Sequence, residues 1–176
     1  MANRRSAGTL TTPALRRRDF LNRVAETSRT RLPDDLGGFR ARNTMNLLKL
    51  QYGANYRIHY ELAIMTEVRL FELGLHFEDG PDSTAKLLIF FDQFIVEIKD
   101  LLGTSIELER WTKSWGHLYE TYPLEPLTAA CADRLGERMA QIILTLHPLL
   151  EEAYRLGLVS REPRPGTGGR FGRRAR

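Results

Sequence analysis

The chain has 176 residues, 42% hydrophobic and 27% charged, which fits one globular domain with its own core. Cys131 is the only cysteine, so an internal disulfide and a multi-thiolate metal site are both excluded. The net charge of +4 hides a segregation: residues 1–50 carry 11 Lys/Arg against 4 Asp/Glu, residues 51–154 carry 8 against 17, and residues 155–176 carry 7 against 1.

An acidic body with basic ends is therefore expected, and such ends often serve as interaction arms. Residues 1–12 are polar and small, and are expected to be disordered. Thr12-Pro13 reads as a helix start, with Leu15, Phe20, Leu21, Val24 and Ala25 sharing a face up to about Ser28. Residues 32–38 read as a loop, and the whole segment 13–40 as loosely attached.

Residues 44–52 read as a strand. Residues 56–65 alternate, with Ile58, Tyr60, Leu62 and Ile64 on one side and Arg57, His59 and Glu61 on the other. Residues 68–78 alternate in the same way, setting Phe71, Leu73, Leu75 and Phe77 against Glu72, Gly74, His76 and Glu78. Short turns between such segments predict an antiparallel meander with one buried face.

Residues 79–82 end the sheet and open a helix. The apolar positions Leu87, Leu88, Phe91, Phe94, Ile95, Ile98, Leu101 and Leu102 follow its 3.6-residue period, and Gly103 closes it. Residues 106–112 and 115–121 read as a second hairpin. Residues 127–156 read as a long helix that Pro148 should kink or divide. From Ser160 onward the chain is Arg, Gly and Pro with no apolar period, and 158–176 is expected to be disordered. The fold expected is α+β: a mostly antiparallel sheet of about five strands in the order β-β-β-α-β-β. Helices cover one face, with a first helix ahead of the sheet and a long last one after it.

The polar sheet face gathers the residues that can carry chemistry. His59, Glu61, Glu72, His76, Glu78 and His117 are the candidates, because imidazoles and carboxylates brought together can bind a divalent metal or act as an acid–base pair. No resident cofactor is predicted; if a divalent metal binds, His59, His76 and Glu78 are its first candidates. A wet sheet face also needs polar residues, so a solvated or partner-facing surface is the first expectation and a site the second.

Asp92, Glu97 and Lys99 mimic the acidic set of Mg²⁺ nucleases. On a helix, however, Glu97 and Lys99 point about 200° apart. Trp111, Trp115, Tyr119 and Tyr122 suit either a stacking platform or hairpin packing. His147 and Cys131 read as structural. Arg16, Arg17, Arg18, Arg170, Arg173 and Arg174 are the candidates for contact with nucleic acid or an acidic protein surface.

The stretch 68–111, with Phe71-Glu72-Leu73-Gly74-Leu75-His76-Phe77-Glu78, then Ile98, Gly103 and Glu107-Leu108-Glu109-Arg110-Trp111, resembles an uncharacterised α+β domain. That domain is found at the ends of some restriction-modification and mobile-element proteins. Residues 47–150 also look like small stand-alone bacterial proteins of unknown function. These resemblances imply a bacterial, nucleic-acid-associated setting and supply no catalytic residues.

The leading expectation is a cytoplasmic, non-enzymatic binding module with nucleic-acid-binding arms and no membrane partner. The alternatives are a metal-assisted hydrolase or nuclease on the His/Glu face, and a structural homo-oligomer.

Overall fold

Residues 13–163 are described by the computed structural model. Residues 1–12, and Arg170, Arg173 and Arg174 with their neighbours, lie outside the described residues. The elements run α1 (Arg17–Arg31), α2 (Asp34–Gly37), β1 (Arg40–Thr44), β2 (Leu47–Gln51), β3 (Ile58–Met65), β4 (Leu70–Phe77), α3 (Pro81–Asp92), α4 (Ile95–Leu102), β5 (Glu107–Arg110), β6 (Gly116–Pro123) and α5 (Ala129–Arg155). All six strands join one antiparallel sheet in the order β1-β2-β3-β4-β6-β5.

The expected α+β class holds, with six strands rather than five. The extra one, β1, is a polar edge strand, Arg-Ala-Arg-Asn-Thr, whose side chains are mostly exposed. A charged edge of this kind resists pairing with another chain and carries no apolar alternation to reveal it.

The alternation expected for β3 and β4 places Tyr60, Leu62, Ile64, Phe71, Leu73, Leu75 and Phe77 in the core. Helices pack on that face. Phe20 of α1 stacks on Phe71, Phe91 of α3 stacks on Phe77, and His147 of α5 lies against Tyr52 and Tyr60.

Four helical boundaries differ from expectation. First, α1 starts at Arg17 and runs to Arg31, with Arg16 as an N-cap that makes no side-chain hydrogen bond. Burial of Phe20, Leu21 and Val24 makes α1 a core element, and its start is set by that packing rather than by Thr12-Pro13. Second, one helical turn, α2, interrupts the loop at Asp34–Gly37. Third, the helix after the meander is two, broken at Gln93 and Phe94; the apolar period runs through the break and conceals it. Fourth, α5 stays one helix through Pro148. That proline is exposed, so the carbonyl it frees is on the side where water can bind it.

The two terminal helices approach closely. A Cβ at Gly136 would meet Thr27 Cβ at 2.6 Å and the Val24 carbonyl oxygen at 2.8 Å, so only glycine fits there. Arg23 pairs with Asp133 through both Nε (2.7 Å) and Nη2 (2.8 Å). Of the expected C-terminal tail, residues 158–163 are held on the body: Val159 is buried, and Arg161 donates to both carboxylate oxygens of Glu151.

Beneath the helices a charge is buried on β6. Glu120 of β6 is fully covered. It accepts from Arg138 Nε at 2.6 Å and Nη2 at 2.7 Å, and from the Tyr122 hydroxyl at 2.7 Å. Arg138 also donates to the Leu102 carbonyl at the end of α4. This one side chain of α5 therefore fastens β6 and α4 together.

Candidate metal centre

Strand register lays the second sheet face out in rows. Gln51, His59, His76, His117 and Glu109 stand opposite one another in turn across β2, β3, β4, β6 and β5. The next row is Lys49, Glu61, Gly74, Tyr119 and Glu107; the third holds Leu47, Ala63, Glu72 and Thr121. The expectation of a solvated face is corrected at its centre. His59 is 1% exposed, Glu61 6%, His76 2% and His117 5%.

Glu61, His76 and His117, with Glu72, line a pocket of about 650 Å³ whose walls come from the strands, from Glu78 just past β4 and from the β5–β6 turn, with no helical residue among them. One wall is aromatic. Trp111 stacks on His117 (13° between planes), and His117 stacks on Tyr119 with centroids 3.9 Å apart. Trp111 and Trp115 touch at 5.6 Å, so the tryptophans serve the pocket rather than the core.

Gly74 explains how two distant side chains meet. Glu72 and His76 are four residues apart on β4, roughly 13 Å along an extended strand. The position between them on that face carries no side chain, and Glu72 Oε1 reaches within 3.5 Å of His76 Nε2 above it. The same oxygen is 3.6 Å from His117 Nδ1, delivered by the neighbouring strand. A side chain at Gly74 has no room, since its Cβ would lie 2.2 Å from the Leu118 carbonyl oxygen.

None of the three imidazole nitrogens here is satisfied. His76 Nε2, His117 Nδ1 and His117 Nε2 are buried without a hydrogen-bond partner. Buried polar atoms in folded proteins are nearly always paired, because leaving one unpaired costs roughly 1–3 kcal/mol. Tetrahedral coordination at metal–ligand bonds of about 2.0–2.1 Å separates the donors by roughly 3.3 Å. The separations of 3.5 and 3.6 Å are close to that value. Behind the ring, His117 Nε2 faces Glu109 Oε2 at 3.9 Å, the arrangement in which an outer carboxylate orients a metal-bound histidine.

The neighbouring set, His59, Glu61, His76 and Glu78, also brings donor atoms within 4.8 Å of one another. Unlike the first, it is occupied by the protein's own ammonium group. Lys49 Nζ lies 3.1 Å from Glu61 and 3.5 Å from Glu78, and His59 Nε2 lies 3.3 Å from Glu61. His59 Nδ1 donates to the Tyr56 carbonyl at 3.0 Å. Burial pushes the Glu61 carboxyl up, but the His59 hydrogen bond and the nearby positive charge outweigh it and hold it at about 2. The three donors of best fit are thus Glu72, His76 and His117; the candidates His59 and Glu78 belong to the second set.

Burial, more than any neighbouring charge, holds His76 down at about 4, and burial likewise lowers His147. The unfolded chain then binds protons that the folded one does not, so stability falls as pH drops from about 6.5 to about 4. For His76 the full loss is on the order of 3 kcal/mol. Glu61 extends the decline toward pH 2, because its carboxylate is stabilised in the fold. Urea midpoints measured from pH 7 to pH 3 are expected to trace this slope, and a flat profile would contradict it.

The other sequence candidates are dispersed. Arg16, Arg17 and Arg18 are exposed at the start of α1, away from the pocket lining. Asp92 ends α3, while Glu97 and Lys99 sit on α4, so no nuclease-like set forms. His147 packs against tyrosines and Cys131 is buried. Sequence reasoning passed over Lys49 and Gly74. The signals were a lone lysine between Leu48 and Leu50, and a glycine inside a strand, which often marks close backbone approach. Among the described residues no helix is long and apolar enough to cross a membrane. No family model, curated protein or solved structure matches the chain.

Proposed function

We propose that this protein is a metal-dependent hydrolase whose reaction centre is a divalent ion held by Glu72, His76 and His117. The observation that carries the reading is a half-buried glutamate beside two buried histidines, spaced for a metal, with three imidazole nitrogens left without hydrogen-bond partners. Two histidines and one glutamate are a ligand set of catalytic zinc sites, which keep a further position open for water. When bound, such an ion makes hydroxide available near neutral pH and polarises the bond to be broken.

The protein's own groups supply the rest. Glu109 stands behind His117 and steadies its ring. Trp111, Trp115 and Tyr119 give a flat apolar wall that suits a small substrate bearing a ring or other planar group. Hydrolysis then places the hydroxyl of water on the electrophilic atom and its proton on the leaving group.

A panel of chromogenic esters, amides and phosphoesters tests this. Zn²⁺-loaded protein is expected to turn over at least one class, with activity lost to a chelator and in Glu72→Gln. Loaded protein that binds one ion yet hydrolyses none of them would overturn the hydrolase reading. A parallel arm with Fe²⁺ and oxygen covers the other chemistry that two histidines and a carboxylate support.

The exposed Arg16, Arg17 and Arg18 support a second reading, electrostatic contact with nucleic acid. It involves a different surface and is compatible with the first.

A further inference from the structure

We infer that Lys49 is a built-in second cation: its ammonium fills a second metal position beside the Glu72–His76–His117 centre, and so limits the protein to one ion. The inference rests on the metal-centre reading above and adds a claim about stoichiometry.

The second position gathers the donor types of a metal site around a lysine. His59, Glu61, His76 and Glu78 place one donor atom each within 4.8 Å of the others; because His76 offers one lone pair and belongs to the first set, a second ion would rest on His59, Glu61 and Glu78. His59 already makes the outer bond of a metal-ligating histidine, Nδ1 to a backbone carbonyl, which leaves Nε2 directed into the cluster. Glu61 is buried, and a carboxylate in that state requires a counter-charge. Lys49 supplies it, reaching across from β2 to touch both Glu61 and Glu78.

Paired-metal hydrolases place two ions about 3.5–4 Å apart, one on each side of the reacting group. Here one of the two positive charges is covalently part of the chain. An ammonium carries positive charge and has no open coordination position, so it can stabilise negative charge developing on a substrate oxygen without binding a second water. Lys49 lines the pocket and is 22% exposed, so its ammonium is within reach of a bound molecule.

Removing the ammonium should open the position to metal. The experiment is Zn²⁺ titration by calorimetry, with elemental analysis, on wild type, Lys49→Met, Lys49→Gln and the double variant Lys49→Met/Glu61→Gln. Wild type is expected to bind one ion per chain. Both Lys49 variants should bind two, and the double variant should return to one. Lys49→Gln keeps the measurement available if the methionine variant does not fold.

One ion in wild type and one in both Lys49 variants overturns the inference while leaving the first centre intact. No ion in wild type but one in the Lys49 variants sinks the Glu72–His76–His117 centre and supports the role given to Lys49. No ion in any variant overturns both.

Discussion

Replacing His76 with leucine is expected to weaken Zn²⁺ binding by more than about 100-fold, since loss of even an outer-shell partner costs 10–100-fold. The same substitution should raise the stability of the metal-free protein by about 1–3 kcal/mol. In the wild-type fold the His76 ring is 2% exposed and its Nε2 has no partner. Leucine fills a similar volume and removes the orphaned nitrogen, so the cost of burying an unpaired polar group disappears. A histidine retained for structure would show the opposite sign, because its replacement would break a hydrogen bond. Zinc titration of wild type and His76→Leu reads the first effect, and denaturant melts of both in the metal-free state read the second. The variant should also lose much of the acid sensitivity between pH 6.5 and 4, leaving the smaller contribution of His147.

Arg138→Met is expected to destabilise the fold by about 3–5 kcal/mol. Glu120 is 1% exposed, and Arg138 is the cation that neutralises it through two hydrogen bonds. Without the guanidinium the carboxylate is left charged and buried, or must take up a proton. Replacing both residues, in Arg138→Met/Glu120→Leu, should recover much of the loss, because no uncompensated charge remains. The effect reaches the metal centre through β6, which carries Glu120 on its core face and, three residues earlier, His117 on the pocket face. Equilibrium urea unfolding of the single and double variants checks the prediction, and a single-variant loss below about 1 kcal/mol would contradict it.

Much of this architecture was legible in the chain. The alternation of residues 58–64 and 71–77 identifies the two central strands and the face on which His59, Glu61, His76 and Glu78 lie. The long periodic stripe identifies α5, and Thr128, one residue inside the expected start, caps it by accepting from the Cys131 amide. The missed strand, β1, has no apolar face, so nothing in its pattern marks it. The break between α3 and α4 is invisible for the opposite reason, since apolar residues continue across it.

The site was only half legible. Local alternation says which side of a strand a residue occupies, but not which strand lies alongside. The pairing of β4 with β6 brings His117 opposite His76, and it is a long-range choice made by packing. The convergence of Glu72 and His76 depends on the absent side chain at Gly74, which alternation alone treats as one more polar-face position. Lys49 was hidden because residues 44–52 showed a strand without showing that its one cation would reach two acids on neighbouring elements.

The most direct test is a crystal of the full chain soaked in Zn²⁺ and examined by anomalous scattering at the zinc edge. One strong peak is expected inside the pocket, at about 2.0–2.2 Å from Glu72 Oε1, His76 Nε2 and His117 Nδ1. Zinc found only on surface carboxylates, or a pocket that stays empty at saturating metal, would contradict the account.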